Sequence, residues 1–502
     1  MTRLARCGIG LLVVVLLLVA CNPVNLQPAD TILHGGNIVT LDSGLPVAEA
    51  VAVRGGRIVA VGSDAEVLLF SGPETEEIDL GGRSVIPGLA DNHFHGVGGG
   101  DGVDLSEART LREVLLKIAD RVSDSEPGDV ILTNSDWHEG QLVEQRLPLR
   151  DDLDTVASDH PVVVVRGGHE YVLNSSALRF WGIDESTPAP EGGRIGRYPD
   201  GRLNGELVDR AKSLAQVSRS PGGRRAAGGD RLQALAEEHR ELNAAGLTSV
   251  RYAGASPAVY EQLRELQRRG ELTVRASVLF RVPSQPERVD EILSGWSVGP
   301  DDGDYWVRVS GIKLGVDGGF EGGWMTEPYE EPWGDGGTFR GLQTVPSDAY
   351  VRTVIELNRK GWRVATHAVG DAAIDLVLEA YGAANADRPI TGRRWVIEHA
   401  FVPRSDQFDR IRELGVLISA QDHLYVAAPS LVHYWGRKRA EWVTPVRAYL
   451  DAGIHVSTGT DAPVIPEEEL FFQATMAVRY GWTEEKAIRG ITIEPAKALM
   501  ID

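Results

Sequence analysis

The sequence predicts an α/β fold: a (β/α)8 TIM barrel with a small β-sandwich domain ahead of it and an inserted subdomain. Three observations predict it. From Thr248 onward, short β-rich apolar runs alternate with amphipathic helical stretches, the pattern of a parallel sheet wound with helices. Counting one further run before them gives eight, the number that closes a barrel. Several runs end in His or Asp, and the C-terminal ends of barrel strands converge on one axis.

The first residues read as an export signal. Arg3 and Arg6 precede an apolar run from Gly8 to Ala20, short for a spanning helix, which wants about 20 apolar residues. The run ends Leu18-Val19-Ala20-Cys21, which resembles the lipobox of bacterial lipoproteins. That resemblance implies a signal over residues 1–21 and an exported cell-envelope lipoprotein, lipid-anchored to the membrane at Cys21. An uncleaved N-terminal anchor is the alternative. The second cysteine, Cys7, lies inside the signal, so no disulfide is expected. Any metal must then be held by His, carboxylates or a modified side chain.

After a tether over residues 22–30, residues 30–85 form the small β domain. Thr31–His34, Asn37–Thr40, Ala50–Val53 and Arg57–Val61 are its strands, with Gly35-Gly36 and Gly55-Gly56 placed as hairpin turns. Residues 86–502 form the barrel. Its first strand is read from Ser84–Val85 through His93. The others are Ser249–Ala253, Val274–Phe280, Val307–Val316, Arg363–His367, Trp395–His399, Val416–Ala420 and His455–Thr460. Helices are expected at Ala258–Arg269, Ser347–Lys360, Ala372–Ala384, Ser405–Leu414 and Pro445–Ala452. The stretch from Gly96 to Leu247 is too long for a loop. It reads as an inserted subdomain at about 97–228, with the helix Asp230–Ala244 as the barrel's first.

A length of 502 residues fits one large domain and one small one. Hydrophobic residues at 42% can fill a sizeable core, and charged residues at 25% exclude a disordered chain. The net charge of −21 argues against nucleic acid and against a polybasic membrane contact.

His93 and His95 share one face at the end of an apolar strand, because alternate strand residues point the same way. His367, His399 and Asp461 each end a predicted strand as well. Singly, each fits a capping role; together they point to a metal site. Lys313 lies inside a run that should be buried, where an unpaired charge is costly. It can pair with Asp317 or another carboxylate, remain neutral, or be modified to a carbamate that bridges two cations as a carboxylate would.

The run from Val85 to His95, reading Val-Ile-Pro-Gly-Leu-Ala-Asp-Asn-His-Phe-His, resembles the first-strand signature of the amidohydrolase superfamily. Later pieces are similar to its third amidohydrolase group, which includes N-substituted formamide deformylases. In chain order they are Arg166-Gly167-Gly168-His169 with Asn174-Ser175, then the run 200–207, Ile312-Lys313-Leu314 with Asp317-Gly318, and the run 366–371. Ile397-Glu398-His399 and Gly459-Thr460-Asp461-Ala462-Pro463 complete the set. The resemblance implies a divalent metal, zinc being expected, as one ion or two. His93, His95 and Asp461 would hold the more buried ion and His367 and His399 the second, with carboxylated Lys313 bridging them. It implies hydrolysis of a non-peptide C–N bond in a small amide or cyclic amide by a metal-activated hydroxide. Asp461 would accept the water's proton and pass it to the leaving nitrogen. An esterase or deaminase on the same site, and a non-catalytic surface binding lipoprotein, are the rival readings.

Two departures from the family stand out. Gly318-Gly319 replaces the usual Gly-Ser. The chain also stops at Asp502, where relatives continue with strands of the small β domain, so either this is a fragment or that domain is abbreviated, with an open edge. His169, His423 and Trp324 are the expected substrate contacts, and Trp137, Tyr329 and Trp333 lie in the same loops or the insertion. The expected partner is a small amide-type substrate, with no nucleic acid; a homodimer is left open.

Overall fold

The computed structural model describes residues 26–97, 99–100, 102–217, 231–331, 333–422 and 424–502. Cys21, the apolar run before it and His423 lie outside the described residues. The chain divides into two compact units after Pro87.

The first unit is a two-sheet sandwich. One sheet orders its strands Arg57–Gly62, Ala50–Arg54, Thr31–His34 and Glu76–Asp79; the other orders Val47–Ala48, Asn37–Val39 and Ser84–Val85. Leu33, Val51 and Val61 from the first sheet pack with Ile38, Ala48 and Val85 from the second. Gly55 and Gly56, at φ 57° and 70°, make the tight turn between two antiparallel neighbours. Gly35-Gly36 makes no hairpin: its flanking strands belong to different sheets, so it is a crossover. Ser84–Val85 pairs with Asn37–Val39, which corrects the reading of it as the start of the barrel.

The second unit is built on eight parallel strands: β1 Leu89–Phe94, β2 Leu247–Ala255, β3 Arg275–Arg281, β4 Val307–Gly315, β5 Val364–Ala368, β6 Val396–His399, β7 Leu417–Ala420 and β8 Val456–Thr458. Consecutive strands are neighbours throughout. The ends meet: Asp461 N–H donates to the His93 carbonyl and His95 N–H to the Ala462 carbonyl, both at 2.9 Å. Leu279, Ala365, Val396 and Leu417 fill an interior layer, with Ala498 from the helix Ile493–Leu499 packed on it. Helices cover the outside. In Ser347–Arg359, Tyr350, Val354 and Leu357 face the core, as the 3.6-residue period requires. Thr353 and Asn358 are buried beside them; Asn358 donates to the Ala384 and Arg388 carbonyls at 2.8 Å each, so its burial leaves no orphaned amide.

Between β1 and β2 the chain builds a five-stranded sheet in the order Gly193–Arg197, Leu203–Asp209, Glu170–Leu173, Val162–Arg166, Ile131–Leu132. Both faces are covered, which is why residues 162–165 are all Val. Val162 and Val164 pack with Val114 and Ile118 of the helix Leu111–Ser123. Val163 packs on the other side with Ala177 and Leu178 of the helix Ser175–Phe180.

Candidate metal and active site

His93 lies near the end of β1 and His95 just beyond it, and the turn after β8 carries Asp461. Their facing atoms form a nearly equilateral triangle. His93 Nε2 lies 3.2 Å from His95 Nε2, and Asp461 Oδ1 lies 3.3 Å from each. Ligand atoms about 2.1 Å from a tetrahedral ion stand about 3.4 Å apart, so the three donors fit one face of such a site. His93 is buried and His95 exposed, leaving the triangle approachable from the pocket side. Burial lowers the pKa of His93 to about 4, so its ring is neutral at pH 7, as a ligand must be. Burial works against a charge on Asp461, but His93, His95 and His399 around it hold the carboxyl well below the usual range.

The tautomer of His93 is set from behind. Its Nδ1 donates to Glu398 Oε2 at 2.7 Å, which leaves Nε2 for a cation. Glu398 in turn receives Arg251 Nη2 at 2.8 and 2.9 Å. Arg251 Nε also donates to the Asn92 carbonyl at 2.6 Å. The Asn92 side chain accepts from Ser419 at 3.0 Å, Ser419 accepts from Gln421 at 2.9 Å, and Gln421 accepts from His399 Nδ1 at 2.7 Å. One buried chain of hydrogen bonds therefore orients His93 and His399 together.

His367 and His399 adjoin the triangle. The His399 ring centroid lies 4.7 Å from that of His93 and 4.5 Å from that of His367. Burial and neighbouring positive groups push both imidazoles well below their usual pKa. Among the described residues, the cluster with all ligand atoms mutually within 4.8 Å is His93, His95 and Asp461, so His367 and His399 stand beside a three-donor site. Lys313 is buried on β4 with Nζ 3.1 Å from His93 Nε2. Burial lowers its pKa to about 8, against the pull of Glu398 and Asp461. Its pairing with Asp317 does not form. Asp317 instead accepts the backbone N–H groups of Trp324 and Gly370, each at 2.9 Å, and of Val369 at 3.1 Å.

Backbone strain marks two of these positions. His399 has φ 71° and Asp461 φ 60°, conformations that side-chain-bearing residues rarely adopt and that cluster at functional sites. At β6 the kink has a use, because it ends the alternation that would put Glu398 and His399 on opposite faces.

A cavity of about 960 Å³ opens over the site, lined among others by His93, His95, Lys313, His367, His399, Asp461 and His169. His169 donates from Nδ1 to Asp209 Oδ1 at 2.7 Å and stacks on His367 with ring centroids 5.1 Å apart. Gly318 and Gly322 pack against the Asp209 carboxylate and Gly319 against His169; a Cβ at Gly319 would lie 2.9 Å from His169 Cγ. The departure at Gly319 thus makes room for this histidine. Arg166 bonds Glu139 at 2.8 and 2.9 Å and Glu321 at 2.9 Å, which ties the insertion to the loop after β4 and sets the Gly167–His169 turn on the pocket. The expected substrate contact at Trp324 is corrected. Trp324 is half-buried and absent from the cavity lining. Trp137 sits in the insertion core and donates to the Val165 carbonyl at 2.8 Å; Tyr329 and Trp333 pack in a separate cluster with Trp435.

Glu398, Arg251, Gln421 and Asp209 were not singled out from sequence. Glu398 and Arg251 carried a usable signal, since both are charged residues inside otherwise apolar strands.

A family model described as the amidohydrolase family matches residues 76–500. The chain belongs to that family. It is 29% identical to an N-substituted formamide deformylase from Arthrobacter pascens, over 94% of this chain and 90% of that protein. It is equally 29% identical to the protein LONG AFTER FAR-RED 3 of Arabidopsis thaliana, over 94% of this chain and 84% of that one. Among solved structures, an uncharacterized metal-dependent hydrolase from Pyrococcus furiosus superposes with a TM-score of 0.66 at 24% identity, covering 94% of this chain and 95% of its own. As an amidohydrolase the chain is a hydrolase, and its His–His–Asp triangle is a candidate site for the divalent metal typical of that family.

Proposed function

We propose that this amidohydrolase cleaves a non-peptide C–N bond in a small amide or cyclic amide, with zinc as one ion or two. The observation that carries the reading is the triangle of His93, His95 and Asp461 at the floor of an open pocket, in a chain similar to an N-substituted formamide deformylase. A divalent cation bound there supplies Lewis acidity toward a carbonyl oxygen and toward water. The protein does the rest. His93 and His95 would hold the ion, while Glu398 and Arg251 keep the His93 ring in register. Asp461, ionised at the pocket edge, takes a proton from water and returns it to the leaving nitrogen. Lys313, as its carbamate, would recruit His367 and His399 to a second ion; a crystal structure of the metal-loaded protein at high resolution tests this at the Lys313 side chain. We also propose export and lipid attachment at Cys21. Incorporation of labelled fatty acid that is lost in Cys21→Ser supports the anchor, and equal labelling of the variant refutes it.

The activity test uses purified protein, elemental analysis and a panel of N-substituted formamides and cyclic amides. Asp461→Asn is expected to lose about 10²- to 10⁴-fold in turnover while its unfolding transition persists. Full activity in that variant, or turnover by metal-free protein, rules the mechanism out.

A further inference from the structure

Besides Lys313, three basic side chains line the pocket, Arg281, Lys212 and the exposed Arg210, although the chain as a whole is strongly acidic at −21. Arg281 ends β3 in register with Lys313 of β4, and side chains paired in this way leave the sheet on the same side. Gly254, at φ 100°, lets the guanidinium lie against the end of β2: a Cβ there would stand 3.1 Å from Arg281 Nε. Lys212 reaches the same cavity from the insertion. Its ammonium donates to the Gly168 carbonyl and sits 4.7 Å from the centre of the Tyr171 ring, which leaves donors to spare. Among the described residues, neither Arg281 nor Lys212 forms an ion pair. Of the lining carboxylates, Asp209 holds His169 through Oδ1 and also acts on Lys212, Asp317 accepts backbone amides and Asp461 faces the histidines. Glu287 stands exposed at the lining.

We propose that the pocket selects substrates carrying a carboxylate, which Arg281 grips with its planar fork and Lys212 with its ammonium. The inference rests on the C–N hydrolysis reading for the other end of the substrate. Three physical points support it. The Arg281 guanidinium, exposed at the end of β3, presents a planar fork that matches a bidentate carboxylate. Although Arg281 stands exposed at the strand end, desolvation by the surrounding protein lowers its pKa, and burial lowers that of Lys212 against the pull of Asp209. Cations inside a cleft of an acidic protein focus an attractive field there. The substrate class is therefore an N-acylated or cyclic amide bearing a free carboxylate.

The test measures binding rather than turnover. N-Benzoylglycine and its neutral primary amide, N-benzoylglycinamide, are titrated calorimetrically into the full-length metal-loaded protein, Arg281→Gln and Lys212→Gln. The wild type should bind the carboxylate about tenfold tighter or more. Arg281→Gln should abolish that preference and Lys212→Gln reduce it. Equal affinity for the two probes in the wild type overturns the proposal. So do failure of the carboxylate to bind and a preference that survives in both variants. Because none of these outcomes depends on cleavage, a failed anion subsite leaves the hydrolase reading standing, and absence of turnover leaves the subsite standing.

Discussion

Glu398 shows how one residue decides the behaviour of its neighbours. It is fully buried, accepts from His93 and neutralises Arg251. Glu398→Gln preserves shape but strips the charge. It weakens the acceptor that fixes the His93 tautomer and leaves a buried guanidinium uncompensated. Such partners of metal ligands are worth about 10- to 100-fold in metal affinity, and breaking a buried pair costs about 3–5 kcal/mol. Competition with a chelator and urea unfolding should show both losses, and an unchanged metal affinity would remove Glu398 from the site. The sequence contained this residue within Ile397-Glu398-His399, yet strand alternation assigns only one of the last two to the interior. The kink at His399 that admits both is a tertiary outcome, and no local pattern encodes it. Lys313 was legible because a charge in an apolar strand is conspicuous. Trp324 misled because an aromatic in a mouth loop looks the same whether it faces a ligand or packs on protein.

At the scale of elements, the second to eighth barrel strands were readable to within about two residues, since a buried parallel strand writes itself as a continuous apolar run. The five-stranded order of the insertion was not readable, because it depends on pairings between segments far apart in the chain. Nor did a run such as Ser84–Val85 disclose which sheet it joins. The closing helix Ile493–Leu499 offers a test at this scale. Its Glu494 lies 2.6 Å from Lys497 Nζ, 3.0 Å from His455 Nε2 and 3.1 Å from Arg489 Nε. Burial opposes its charge, but the bonds from His455 and Lys497 bring its pKa from 4.5 down to about 2. A depressed carboxylate contributes stability above its unfolded pKa and loses it as pH falls through the folded one. Glu494 therefore stabilises the protein fully above pH 4.5, by no more than a few kcal/mol given its partial exposure, and the contribution fades between 4.5 and about 2. Urea midpoints across that window should fall less steeply in Glu494→Gln than in the wild type. Parallel curves would mean that the carboxylate is not held by these partners.

For the larger unit, the metal triangle lies across the seam of the barrel. His93 and His95 come from the first strand and Asp461 from the turn after the last, and the same residues carry the backbone bonds that close the sheet. An ion held by all three would tie the two ends of the barrel together as well as serve chemistry. Binding to the folded state alone stabilises by RT ln(1 + [L]/Kd), about 2.7 kcal/mol at a hundredfold excess over Kd. Stripping the metal with a chelator should therefore lower the unfolding temperature by several degrees, and returning zinc should restore it. Asp461→Ala should unfold at a temperature nearly independent of added zinc, because the seam loses one of its three donors. Lys313→Met keeps the triangle and should retain most of the zinc response. Scanning calorimetry of the three proteins with and without zinc separates a seam-spanning site from one built on His367, His399 and Lys313. A zinc response lost in Lys313→Met but kept in Asp461→Ala would move the principal metal away from the seam.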